Sequence, residues 1–394
     1  YHHIFIYSDC FTVSRTHSIS SEFEREREMK KRGRVEIECV HFNDDAGCVA
    51  IGSSDGRLRI LREQSLKVLY ERNVGETITS IAMLGRSSLV AIAGSALNST
   101  GFSKRKIRML NTKNGEILKE LSFKTAILNI ELNVKCLAVV LENKIALYDT
   151  RRLHHLRDVS TKYNPWGLGK IACISSRDNG EDENTTLLVY PAEKNMITTE
   201  AKGLVGVLAL GCSRTRIVST FKAHDSNIST ISVCSQIKAM ATASEKGTLV
   251  RVFRIPSGEI MHTFRRGSVV ASIRHLRFSP EGTFVVACSS NCTIHVFVLR
   301  SLKKKQESNN TTTSKLAARC FARARLHSIP MACSFLAADT KRTRCAVHFY
   351  VITESGRYVQ YKFDRHLGGD CTRGTDEAPL VVFSETSRDG FVEI

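Results

Sequence analysis

"IECVHFNDDAGCVAIGSSDGRLRIL", Ile37 to Leu61, carries three apolar runs of strand length separated by two turns, NDDAG and SSDG. Short runs of β-type composition, broken by Asn, Asp, Ser and Gly, read as antiparallel strands joined by tight turns. The second strand ends in small residues and the third ends in bulky apolar ones. The same grammar returns from Ile78, Ile127, Lys170, Ile228, Ile273 and Met331, giving seven copies. Their spacing of about forty to sixty residues falls in or slightly above the range of four-stranded propeller blades. The pattern therefore predicts an all-β chain, a seven-bladed β-propeller with divergent WD-type repeats. Radial repetition keeps the edges of many short strands short and protected while the faces of adjacent blades bury one another. No blade ends in Trp-Asp, and the single tryptophan, Trp166, sits in a turn, NPWGLG. An unrelated all-β sandwich stays open as the alternative.

Three segments depart from the grammar. Residues 1–34 include the charge-dense stretch SSEFEREREMKKRGR and are expected to be a disordered or helical extension outside the fold. The propeller is assigned to 35–365 and a tail to 366–394. Between the strand IHVFVL of the sixth repeat and the strand near Met331 lies a basic, then polar, then Ala- and Arg-rich insertion, residues 300–329. A long connection of this kind inside a compact domain is usually functional or disordered. Its part KLAARCFARARL is expected to form a short helix with Leu316, Cys320 and Phe321 on one side, a weak interfacial pattern.

Of 394 residues, 42% are hydrophobic, enough for a core, and 57 Lys and Arg outnumber 39 acids for a net charge of +18. The expected partners are anionic: nucleic acid, an acidic protein or a phospholipid surface. The thirteen cysteines are scattered without a CxxC pair. Cys288 and Cys292 are the nearest to one another, with no His or second pair at zinc spacing, so no metal and no cofactor is expected. Most of these cysteines read as reduced core residues of a cytosolic protein. The start, YHHIFIYSDCFTVS, does not read as a signal peptide, and no window is long and apolar enough for a membrane span. Any membrane contact is then expected to be peripheral. No GxSxG, P-loop or HExxH occurs and the acids are dispersed, so the chain is not read as an enzyme.

The chemistry concentrates at TFRRGSV, Thr263 to Val269. On an extended strand successive side chains point to opposite faces, so Arg265 and Arg266 serve two separate pockets. Each guanidinium is a planar fork that matches phosphate, and Gly267 lets the backbone turn away or a ligand approach closely. The preceding repeat offers His224, Ser226, Thr242, Ser244, Thr248 and Arg251. The following one offers Ser289, Ser290, Thr293 and His295. Hydroxyls, imidazoles and guanidiniums without competing acids suit multiply phosphorylated head groups. Singly, each Ser or Thr reads equally as a satisfied turn hydroxyl.

FRRG (Phe264, Arg265, Arg266, Gly267), with AHDSNIS, ATASEKGTLVRVF and SSNCTIHVF, resembles the PROPPIN family, the WIPI-like phosphoinositide-binding β-propellers of autophagy. The resemblance spans about Val35 to Phe363, and SLVAIAGS and VVLENKIALYD fit its second and third blades. It implies one lipid site of Arg265 with His224, Thr242, Ser244, Thr248 and Arg251, and a second of Arg266 with Ser290, Thr293 and His295. It also implies phosphatidylinositol 3-phosphate and phosphatidylinositol 3,5-bisphosphate as ligands and 300–329 as a membrane-inserting loop. SSNCT is a tighter turn than that family usually carries. The implied protein is a monomeric peripheral adaptor on phagophore and on endosomal, vacuolar or lysosomal membranes. Its implied partners are autophagy proteins of the lipid-transfer or conjugation-complex type, with FSKRKIR and DTRRLHHLR as candidate docking surfaces. A basic propeller that binds nucleic acid or acidic proteins is the alternative, although no aromatic platform is interleaved with the basic residues.

Overall fold

The computed structural model describes residues 35–43, 47–63, 65–95, 102–178, 181–193, 202–211, 215–299, 318–336 and 345–380. The extension at 1–34 and residue Leu316 lie outside them. The described residues form strands throughout, without an α-helix. Twenty-eight strands make seven four-stranded antiparallel units, over 37–73, 78–122, 129–160, 170–222, 228–265, 273–325 and 330–379. The first strand of each unit touches that of the next, and the seventh, Pro330–Phe335, touches the first, Ile37–Phe42, which closes the ring. The molecule is thus a β-propeller, as the repeats predict.

Burial within a blade explains the repeat grammar. The second strands, such as Cys136–Val140, Ala239–Ser244 and Phe284–Ser289, are buried along their whole length because a blade lies against each of their faces. Their runs are accordingly apolar or small rather than alternating. The fourth strands, such as Val68–Asn73 and Glu116–Ser122, are exposed or half-buried and mix polar with apolar residues, so in sequence they blend into the turns that flank them. Closure of the ring rests on Phe42, Val49, Ile51 and Leu61 of the first blade packing with Ala332, Tyr350, Ile352 and Tyr358 of the seventh.

Two expected boundaries are corrected. The seventh blade does not end at 365: Gly368–Pro379 is its fourth strand, paired antiparallel with Arg357–Asp364. The segment expected to be helical contains the fourth strand of the sixth blade, Ala322–Arg325, paired with Thr293–Val298. Alternating Ala and Arg satisfies a strand with one buried face as well as it does a helix, and the free edge of the blade selects the strand. Ala322 and Arg323 also pair in parallel with Gly369 and Asp370, joining the sixth and seventh blades into one eight-stranded sheet.

Candidate functional site

The FRRG motif ends the fourth strand of the fifth blade, Ile260–Arg265. Phe264 decides which way its neighbours point. It is 3% exposed, packs with Val250, Val252, Ala287 and Phe297, and stacks on Phe297 with ring centres 4.8 Å apart. A side chain of that size fixed between the fifth and sixth blades forces Thr263 and Arg265 onto the opposite face.

On that face the register is Thr242 opposite Arg251 and Arg251 opposite Thr263, with Leu249 opposite Arg265. Thr242, Ser244, Arg251, Thr263 and Arg265 therefore share the side of the blade that looks back toward the fourth. Arg251 donates from Nη1 to the Ala223 carbonyl at 2.6 Å, and His224 Nε2 lies 3.0 Å from Thr242 Oγ1. Both contacts tie the end of the fourth blade to this face. His224 is 3% exposed, and burial, reinforced by Arg251, pushes its imidazole down to about 4. It is neutral at physiological pH and offers a hydrogen bond rather than a charge. Ser226 and Thr248 are half-buried nearby in sequence. Arg265 itself is exposed, and its guanidinium makes no hydrogen bond or ion pair among the described residues.

Arg266 has the opposite environment. It is 7% exposed, donates from Nε to the Gly247 carbonyl at 2.9 Å, and donates from Nη2 to the Val269 carbonyl. Its own amide bonds to the Thr248 carbonyl at 2.9 Å. Two of five guanidinium donors are thereby consumed in aiming the group, and the rest remain for a ligand. Facing it from the sixth blade is His295, whose imidazole is held down at about 4 by burial and by the Arg266 and Arg323 charges. Its Nδ1 is buried and has no hydrogen-bond partner. Thr293 and Ser290 are half-buried on the same turn.

Ser289 is corrected from open donor to turn anchor. It is fully buried, and its hydroxyl is held by Thr293 Oγ1 at 2.7 Å and Asn291 Oδ1 at 2.5 Å. The short turn closes by placing Cys292 at φ 57°, in the left-handed region. Phe321, expected to face a membrane, instead packs inward against Phe284 and Phe363. Gly267 needs no positive φ, and open space lies where its side chain would be.

The glycine the arrangement requires is Gly247, which sequence reasoning passed over. Its φ is +58°, and a Cβ there would collide with the Ala271 carbonyl. The run SEKG at the tip of a hairpin was the available signal. Thr263 was also missed, although its i, i+2 spacing to Arg265 marks it as sharing that face.

Among the described residues no group of His, Cys, Asp or Glu could hold a metal ion, and no helix is long and apolar enough to cross a membrane.

A ring of divergent blades with an exposed and a buried arginine adjacent at the end of one strand defines the class: a β-propeller whose distinctive feature lies on its circumference. The family model named PROPPIN matches residues 36–373, and the chain belongs to that family. Autophagy-related protein 18 of Dictyostelium discoideum is 30% identical over 363 residues, 84% of this chain and 90% of that protein. The protein of the same name from Mycosarcoma maydis is 33% identical over 276 residues, 66% of this chain and 59% of its own length. In fold, Kluyveromyces lactis Hsv2 superposes with a TM-score of 0.67 at 18% identity, over 88% of this chain and all of that one. A complex of KlAtg21 with the coiled-coil of AgAtg16 superposes at 0.65 with 24% identity, over 87% of this chain and 99% of that one. The relatives support a role in autophagy.

Proposed function

We propose that this chain is a phosphoinositide-binding peripheral membrane adaptor in autophagosome formation. Its ligands are phosphatidylinositol 3-phosphate and phosphatidylinositol 3,5-bisphosphate. The observation that carries the reading is the division of Arg265 and Arg266 onto opposite faces, each looking toward hydroxyl, imidazole and guanidinium groups. The first head group would meet Arg265, Arg251, Thr242, Ser244, Thr248, Ser226 and His224. The second would meet Arg266, His295, Thr293 and Ser290.

No carboxylate hydrogen-bonds to either arginine among the described residues, so neither charge is spent before the ligand arrives. One head group at a salt-screened surface binds weakly, whereas two on one rigid edge raise the affinity through effective concentration. The insertion after Leu299 would add to that contact. The remaining blades are left to partners of the lipid-transfer or conjugation-complex type. Candidate docking residues are the exposed Lys104, Arg105, Arg151 and Arg152. Lys106 and Arg108 of the same segment are already paired with Glu120.

The test is flotation with liposomes that do or do not contain phosphatidylinositol 3-phosphate, comparing wild type with Arg265→Thr/Arg266→Thr. Lipid-dependent flotation of the wild type alone supports the reading, and equal flotation of both removes it. A gel shift with nucleic acid at physiological salt checks the competing use of the basic surface.

A further inference from the structure

A cavity of about 380 Å³ opens beside the FRRG strand, lined by His262, Phe264, Val298, Ala318, Cys320 and Phe321, with Arg319 at its margin. Nothing in the two head-group sites uses it. Its floor is built by the segment that precedes the fourth strand of the sixth blade. Ala318 bonds to the FRRG strand through its amide to Thr263 O at 3.0 Å, and its carbonyl accepts from the Arg265 amide at 2.9 Å. Three residues on, the Phe321 amide bonds to Val296 O at 2.7 Å. The segment therefore bridges the fifth blade to the sixth and leaves a gap beneath it with hydrocarbon walls.

Three features specify an occupant. The interior is apolar: Phe264, Phe321 and Val298 supply no hydrogen bonds, and burial holds the His262 imidazole below its ordinary value, hence neutral at physiological pH. The margin is cationic: Arg319 is exposed and has no ion pair among the described residues. Finally, the cavity is continuous with the Arg266 face. The rings of His262, Phe264, Phe297 and His295 form one column, with successive centres 5.5, 4.8 and 6.4 Å apart and planes within 16° of parallel. Phe264 and Arg266 lie two residues apart on one side of an extended chain, roughly 7 Å.

An apolar slot with a cationic rim, one or two residues along a strand from a phosphate-directed arginine, fits an anionic amphiphile held at both ends. We propose that this cavity takes the proximal part of one acyl chain of the phosphoinositide whose head group occupies the Arg266 site. The proposal rests on the lipid reading above and deepens it. The protein would then draw part of one chain out of the bilayer and recognise an intact lipid over a free inositol phosphate.

The experiment compares three soluble probes by calorimetry on the full chain: inositol 1,3-bisphosphate, dibutanoyl phosphatidylinositol 3-phosphate and its dioctanoyl form below its micelle concentration. Each is measured with wild type, Ala318→Phe and Cys320→Phe, with melting curves to verify that the variants fold. Ala318 is exposed and holds the bridge through backbone atoms only, so its substitution fills the cavity with little strain.

Wild type should bind the dioctanoyl lipid at least about tenfold more tightly than the head group, what burying two methylenes supplies. In the filled variants that ratio should fall to within about twofold while head-group affinity stays unchanged. An unchanged ratio in both folded variants, or no chain-length preference in the wild type, overturns the proposal. The latter is also the outcome if the cavity is already filled by the chain itself or takes a protein side chain. Absence of head-group binding in the wild type would sink the two-arginine reading, and the acyl proposal with it.

Discussion

Arg266 donates its Nε proton to the carbonyl of Gly247 at 2.9 Å, and Gly247 stands at φ +58° against the Ala271 backbone. The direction of the buried guanidinium thus depends on a hairpin tip nineteen residues upstream. Gly247→Ala is expected to destabilise the propeller by about 1–3 kcal/mol, because the left-handed backbone and the Ala271 contact both resist a side chain. It should also weaken head-group binding at the Arg266 face more than at the Arg265 face. Urea unfolding gives the first effect. Titration of inositol 1,3-bisphosphate in Arg265→Thr and Arg266→Thr backgrounds separates the second, and equal losses in both backgrounds would disprove the dependence.

The two arginines should differ in what they do for the fold. Arg265→Gln removes an exposed group without partners, so the urea midpoint is expected to move by less than about 0.5 kcal/mol equivalent. Arg266→Gln strips the Gly247 and Val269 carbonyls of a buried donor, at about 1–3 kcal/mol. Both single variants should lose a large part of lipid-dependent flotation. A melting temperature that falls equally in the two would contradict the division of environments.

Much of this division is legible in the sequence. Strand alternation alone sends Arg265 and Arg266 to different faces, and the repeat of apolar strand, small-residue strand and turn gives the blades. Less legible were the fourth strands. Glu116–Ser122 and residues 368–374 lie on the outside, where solvent permits polar residues and no periodic apolar signal survives. Ser289 misled for a different reason: composition shows a hydroxyl but not that Asn291 and Thr293 already hold it. Phe321 misled because an apolar residue beside arginines looks interfacial, whereas packing with Phe284 and Phe363 decides its direction.

His224 and His295 make the fold acid-sensitive. Both imidazoles are pushed down to about 4 from an ordinary 6.5, by burial first and by Arg251 or Arg266 next. Between pH 6.5 and 4 the unfolded chain binds protons that the folded chain refuses. Stability is therefore full above about pH 6.5 and falls as the pH drops toward 4. Each imidazole accounts for on the order of 1–3 kcal/mol of that loss. His295→Gln should flatten the profile by this amount, read from urea midpoints at pH 7 and pH 4.5. Parallel profiles for wild type and variant would show that His295 takes its proton as easily in the fold as outside it.

Glu63 sets the opposite slope. It is 1% exposed at the closure of the ring, near Tyr350 and Arg277, and burial pushes its carboxyl up to about 7 from an ordinary 4.5, against the smaller opposing pulls of Tyr350 and then Arg277. Below pH 4.5 the carboxyl is neutral in both states and costs nothing. As the pH rises from 4.5 to 7 the unfolded chain ionises first, so stability is lost across that window and the deficit is constant above it. Glu63→Gln keeps the shape and removes the charge. It should leave the urea midpoint nearly unchanged at pH 4.5 and raise stability by about 1–3 kcal/mol at pH 8. A variant less stable than wild type at pH 8 would mean that the Glu63 charge is held in place by Arg277 and contributes to closing the first blade on the seventh.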